Sequence, residues 1–153
     1  GPWNDTEPTA SVFHVGASYN NVNRVSRNFI SYLWHDVPGL QKFGSFTGNN
    51  NANGPFVDLG FRPAIIIIFN TAGSNRWTIQ DSTRSTFNPS NTSLGVNISN
   101  EQLGSAFDLD FLSNGFKVRN TNSGHNADGA SFIYAAWAEA PTIDLFGGSA
   151  NAR

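Results

Sequence analysis

Four consecutive isoleucines, Ile65 to Ile68, do most to limit what this chain can become. They lie in the stretch Phe56-Val57-Asp58-Leu59-Gly60-Phe61-Arg62-Pro63-Ala64-Ile65-Ile66-Ile67-Ile68-Phe69-Asn70. Pro63 stands just before them, and the turn-forming residues 70–75 follow. A side chain branched at Cβ gives up little freedom in a strand and packs well on a pleated surface. An apolar run bounded by turn signals therefore predicts a strand buried on both faces.

The remaining chain agrees with a sheet protein. Alternation or short apolar runs predict strands at 11–15, 29–35, 41–47, 76–81, 94–98, 106–112, 116–119 and 131–138, with 143–146 a further candidate. Polar, Asn- and Gly-rich stretches separate them, and Asn114-Gly115 is the strongest two-residue hairpin signal. No segment carries a 3.6-residue period, and residues 101–103 would form one helical turn at most. The expected fold is all-β: an antiparallel β-sandwich of jelly-roll or concanavalin-like type with about nine or ten strands. A single domain is expected over 3–146, with 147–153 as a tail. Gly1-Pro2 matches the pair left by protease removal of a tag, so the natural sequence is expected to start near Trp3 within a longer protein.

Charge excludes some partners. The formal net charge is -2, and Lys42 and Lys117 are the only lysines. That is no basic footprint for nucleic acid and no polybasic anchor for a membrane. The longest apolar stretch, 64–69, falls short of a membrane span, so no insertion is expected. Cysteine is absent, which removes disulfides and thiolate metal sites.

The chain repeats itself at an offset of 103 residues. Phe13 falls on Phe116, Val15 on Val118, Asn23 on Asn126, Phe29 on Phe132, Ile30 on Ile133 and Trp34 on Trp137. Asp36 falls on Glu139 and Pro38 on Pro141. Residues 11–38 thus read as a remnant hairpin of one unit, and 41–141 as one complete unit. An isolated two-stranded ribbon is marginal in water, so the remnant must pack on something, either the complete unit or a symmetry-related subunit.

Ordered motifs carry a resemblance over nearly the whole chain after Gly1-Pro2. They are Trp34-His35-Asp36-Val37-Pro38-Gly39-Leu40-Gln41-Lys42-Phe43-Gly44, Gly60-Phe61-Arg62-Pro63-Ala64, Trp77-Thr78-Ile79-Gln80-Asp81 with Arg84 and Asn88-Pro89, Asp110-Phe111-Leu112-Ser113-Asn114-Gly115-Phe116-Lys117, and Ile133-Tyr134-Ala135-Ala136-Trp137. The chain resembles the repeated β-rich module of bacteriophage tail fibres and tail spikes, with a fainter likeness to SPRY-type concanavalin-like sandwiches. The resemblance implies a virion component near the distal tip of the tail, a homotrimer, and a non-enzymatic role in attachment to a bacterial surface glycan, lipopolysaccharide or capsule. A structural module that trimerises or caps the fibre is the alternative. A polysaccharide depolymerase is a third reading, disfavoured because no convergent acid pair is visible. The resemblance brings no catalytic motif, cofactor or metal with it.

Each candidate residue also has a plainer role. Asp108 and Asp110 share a strand face, as a glycosidase pair would, but they alternate with Phe107, Leu109 and Phe111 like the polar face of a half-buried strand. His14, His35 and His125 lack ligand spacing. Asn49, Asn50, Asn51 and Asn53 with Asp58 offer oxygens to calcium, yet the loop has no carboxylate of its own. Asp81, Arg84 and Asn88 could hold a sugar or pin their loop, and pinning is favoured. Trp34 and Trp137 read as core. Tyr19 and Phe87, on loops, are the better platforms for a sugar ring. The expected ligand-binding set is Tyr19, Arg84, Phe87 and Asn88.

Overall fold

A computed structural model describes residues 4–17, 22–72, 77–99, 102–104 and 106–140. They belong to two compact units, Gly1–Trp34 and His35–Arg153.

The larger unit is nearly all β. Its strands are β1 (Gln41–Thr47), β2 (Phe56–Asp58), β3 (Pro63–Asn70), β4 (Thr78–Asp81), β5 (Leu94–Gly95), β6 (Leu109–Leu112), β7 (Gly115–Val118) and β8 (Ser131–Ala138). One helical turn, α1 (Ser123–Asn126), precedes β8. All pairings are antiparallel, in a five-stranded sheet of order β1-β8-β3-β4-β5 and a three-stranded sheet of order β2-β7-β6. The hairpin loop between β6 and β7 is Ser113-Asn114, with Gly115 already paired to Leu112. A Cβ at Gly115 would lie 2.0 Å from the Val57 carbonyl oxygen, so β2 and β7 approach as only glycine allows.

Both sheets contribute to one core. Ile66, Ile68, Phe132, Tyr134 and Ala136 come from the larger sheet, and Val57, Leu109, Phe111, Phe116 and Val118 from the smaller. Phe116 meets Phe46 and Tyr134 edge-on, at ring-centroid distances of 6.0 and 5.6 Å. Edge-to-face pairing suits the opposite charge of ring faces and edges. Gly44 makes room for Tyr134, whose hydroxyl would stand 2.7 Å from a Cβ there.

Three expectations need correction. The isoleucine run is buried on one face only: Ile66 and Ile68 are sealed, whereas Ile65 is 38% exposed and Ile67 half-buried. The smaller sheet covers one face of β3, and the described residues of this unit put no second layer on the other. The repeat is not a hairpin. In the complete copy β7 and β8 lie in different sheets, so the repeated pattern supplies one strand to each sheet. Finally, eight strands are present among the described residues rather than nine or ten. The missing ones are 11–15 and 29–35, which carry no ladder; 143–146 lies outside the described residues.

The smaller unit holds residues 11–34 of that first copy, without strand or helix among its described residues, and 35–38 fall in the larger unit. Thr9 accepts hydrogen bonds at Oγ1 from the amides of Ser11 and Val12, and Asn23 donates to the Gly16 carbonyl at 3.1 Å. Its apolar side chains stay open to solvent, Ile30 at 81% and Leu33 at 70%. Trp34, expected in a core, is 59% exposed and stacks on Tyr32. Trp137 is half-buried and meets the Phe43 ring edge-on.

Candidate functional site

The loop after β4 displays three of the four expected ligand-binding residues. Asp81, the last residue of β4, accepts hydrogen bonds at Oδ1 from the amides of Thr83 and Arg84, at 3.1 and 2.6 Å. Its other oxygen is 3.5 Å from the Arg84 Nε. An Asp that bonds to amides two and three residues on closes a turn locally, which starts the loop in one conformation. Further along, Asn88 is clamped to β6: its Nδ2 donates to the Phe111 carbonyl and its Oδ1 accepts from the Phe111 amide, both at 2.9 Å. The Asn88-Pro89 bond is cis. Ser90 then exchanges two backbone hydrogen bonds with Leu109, at 2.7 and 3.1 Å. The side chain of Asn88 and the backbone of Ser90 thus cover the free edge of β6, which would otherwise invite another strand.

Between these two anchors stands Phe87, 84% exposed. The anchors fix its backbone neighbours and leave the ring to solvent. Arg84 and Phe87 are therefore presented on one loop held at both ends, while Asn88 spends its amide on the scaffold. Tyr19, the fourth expected residue, lies outside the described residues.

A second polar feature lies nearby in sequence. Ala52, Ala106, Asp108, Arg119, Asn120, Thr121 and Asn122 line a shallow depression of about 370 Å³. Asp108 gives it a carboxylate whose Oδ1 is buried with no hydrogen-bond partner among the described residues. Burial raises the pKa of this carboxyl, since removal from water penalises the charged form. Asp110 is held differently, with its Oδ2 3.4 Å from the Arg119 Nε. The two aspartates are thus separated by their surroundings, one ion-paired and one desolvated, and the depression is lined by a single carboxylate.

His125 is the histidine with a defined role. It is sealed from solvent, hydrogen-bonded through Nε2 to the Thr78 hydroxyl, and packed 4.5 Å from the Phe107 ring. Burial lowers its pKa to about 3, so it stays neutral near pH 7. Beside it in sequence, the buried Asn126 joins three segments. Its Oδ1 accepts from the Asn49 amide at 2.8 Å, and its Nδ2 lies 2.8 Å from the Asn51 carbonyl and 2.7 Å from the Asn120 carbonyl. Side-chain oxygens of Asn49 and Asn51, weighed as calcium ligands, accept from backbone amides two residues on. No group of three or more His, Cys, Asp or Glu that could hold a metal occurs among the described residues.

Sequence reasoning missed the desolvation of Asp108 and the seal around His125. Both depend on partners far along the chain. Asn126 did leave a signal, because it is the one polar identity inside the repeated loop.

The chain belongs to the family described as Domain of unknown function (DUF7483), whose model matches residues 1–141. No curated protein and no solved structure matches it.

Proposed function

We propose that this chain is a non-enzymatic attachment module of a bacteriophage tail fibre or tail spike, binding a glycan of the bacterial surface, lipopolysaccharide or capsule. In this reading the two sheets are the layers of a concanavalin-like sandwich, and the loop of residues 82–90 is the ligand-facing end. The observation that carries it is Phe87: a large aromatic ring left open to water on a loop fixed at Asp81 and Asn88. A ring held in place stacks on a sugar face with little ordering cost, and Arg84 beside it offers donors to hydroxyl or acidic groups. The resemblance of the ordered motifs to fibre modules gives the setting. Several weak sites on one virion would then act together.

The test is binding of the purified chain to susceptible and resistant host cells and to their isolated polysaccharide. Phe87→Ala should weaken binding by about tenfold or more, the scale of losing a buried aromatic contact. Undiminished binding by that variant would remove the loop from the site. Release of reducing ends from the polysaccharide would overturn the non-enzymatic reading.

A homotrimeric assembly role also has a specific observation behind it. The outer face of the five-stranded sheet carries an apolar patch: Ile65 and Ile133 are 38% and 41% exposed, and the exposed Trp77 stacks on Phe69 at 4.7 Å. Apolar faces of this kind mark interfaces. Solution mass should report a trimer that Ile65→Glu with Ile133→Glu converts to a folded monomer. A native chain that is monomeric at every concentration refutes this role.

A further inference from the structure

The edge of β6 connects the two features of the candidate site. Asn88 meets Phe111 through its side chain, and Ser90 exchanges backbone bonds with Leu109, so residues 87–91 run antiparallel beside β6. Phe87 then stands level with Leu112, and Asn91 level with Asp108. The aromatic ring and the depression that Asp108 lines are therefore separated by the length of one strand edge, about 13 Å at the rise of a β-strand. Between them Pro89 and Asn91 are exposed, whereas Ser90 is sealed into the unit. The way from ring to depression lies open along a single pinned segment.

The walls of the depression are fixed by the fold. The Asp108 carbonyl accepts from the Arg119 amide and from the Asn120 Nδ2, both at 2.9 Å. The Asn120 Oδ1 accepts from the Asn122 amide at 2.9 Å, and the Asn120 carbonyl is held by Asn126 at 2.7 Å. Asn122 accepts at Oδ1 from the Gly124 amide at 2.8 Å, and its Nδ2 and the Thr121 hydroxyl carry no hydrogen bond among the described residues. Arg119 turns its Nε to Asp110, and its side chain stays 41% exposed. The fold uses Asp108 through its carbonyl, while the carboxylate has one oxygen buried and unpartnered. A buried acceptor without a donor costs stability. A half-turn about χ2 exchanges the two oxygens, so a donor entering the depression can reach the unpaired one.

The mixture of groups sets which donor fits. One carboxylate, one guanidinium, one hydroxyl and one free amide stand together. A metal cation would face Arg119, and a phosphate or carboxylate would face Asp108. A neutral ring bearing hydroxyls can donate to Asp108 and accept from the other three.

We propose that the depression is a second subsite, for a neutral sugar, and that the chain binds an extended stretch of polysaccharide: one ring on Phe87, a later ring against Asp108, and the glycan lying over Pro89 and Asn91 between them. This rests on the reading of the Phe87 loop as glycan-binding. One sugar ring cannot span the two subsites, so the ligand is an oligosaccharide segment of a linear glycan.

The probe is the surface polysaccharide of a susceptible host, cut by mild acid into a size ladder from single sugars upward and titrated against the purified chain. Affinity should rise by about tenfold or more once fragments reach from Phe87 to Asp108, and level off beyond that length. Asp108→Ala should remove the rise, so that its affinity for long fragments falls to that of the native chain for short ones. Its unfolding midpoint should not drop, because the deleted carboxylate bonds nothing in the fold. Thr121→Trp, which fills the depression from an exposed position, should remove the rise as well. Phe87→Ala should weaken binding at every length. Native affinity that is independent of length, or a rise that survives in either depression variant, overturns the second subsite and leaves Phe87 as a single-ring site. Undiminished binding by Phe87→Ala removes the loop itself, and the extended site with it. A lowered midpoint in Asp108→Ala shows a carboxylate engaged by the fold and overturns its assignment to a ligand.

Discussion

Residues 11–38 and 114–141 carry the same pattern and meet opposite fates. Phe132 is sealed in a sheet and its counterpart Phe29 is 46% exposed; Phe116 is at 0% and Phe13 at 38%. The difference does not lie in strand propensity, since both copies hold the same phenylalanines, valine and tryptophan at the same spacing. It lies in neighbours. β8 has β1 on one side and β3 on the other, and β7 has β2 and β6. A strand gains its hydrogen bonds and burial from those flanks, and an alternating sequence without them stays open.

The contrast can be broken most severely at the phenylalanines. Phe132→Ala should destabilise the larger unit by about 3–5 kcal/mol in denaturant unfolding, the usual range for a sealed ring. Phe29→Ala should leave the midpoint unmoved. Equal losses at both positions would mean that the two copies are equally packed.

Acid separates the copies next. His125 corresponds to Val22, so only the complete copy carries a buried imidazole. Its folded pKa, about 3, lies below the unfolded value of 6.5. The unfolded chain therefore binds a proton that the native one refuses, and stability falls as pH drops from 6.5 towards 3. Between pH 6.5 and 4 the loss should reach about 3 kcal/mol by linkage. It should shrink in His125→Gln, measured by unfolding at both pH values.

A smaller effect is expected at the shared asparagine. Asn126→Ala strips partners from the Asn49 amide and from two carbonyls, and should cost about 2 kcal/mol. Asn23→Ala removes one partly buried bond in the open copy and should change stability by less than about 0.5 kcal/mol.

The sequence made some of this legible and hid the rest for physical reasons. Strands 41–47 and 131–138 stood out, the first by alternation and the second as a continuous apolar run. The same signals misled at 11–15 and 29–35, since they report what a segment can do and not whether a flank is present. The isoleucine run reads alike whether its outer face is covered or half-open, and only the layering tells them apart. Within the candidate site, the turn closed by Asp81 was foreseeable from short-range amide chemistry, whereas the clamp of Asn88 on Phe111 spans 23 residues. The buried oxygen of Asp108 and the contact of Thr78 with His125 were not, because they join residues that meet only in the finished fold.

The position of β8 has a consequence for how the unit is made. Among the described residues it is the last strand in chain order, yet it sits between β1 and β3 and pairs with both. A ribosome delivers β1 and β3 long before the strand that joins them. Until residue 138 has emerged, each presents a bare edge, and the large sheet cannot close. Closing the large sheet therefore joins strands across long sequence separations, the kind of pairing that slows folding and leaves strand edges open to misassembly.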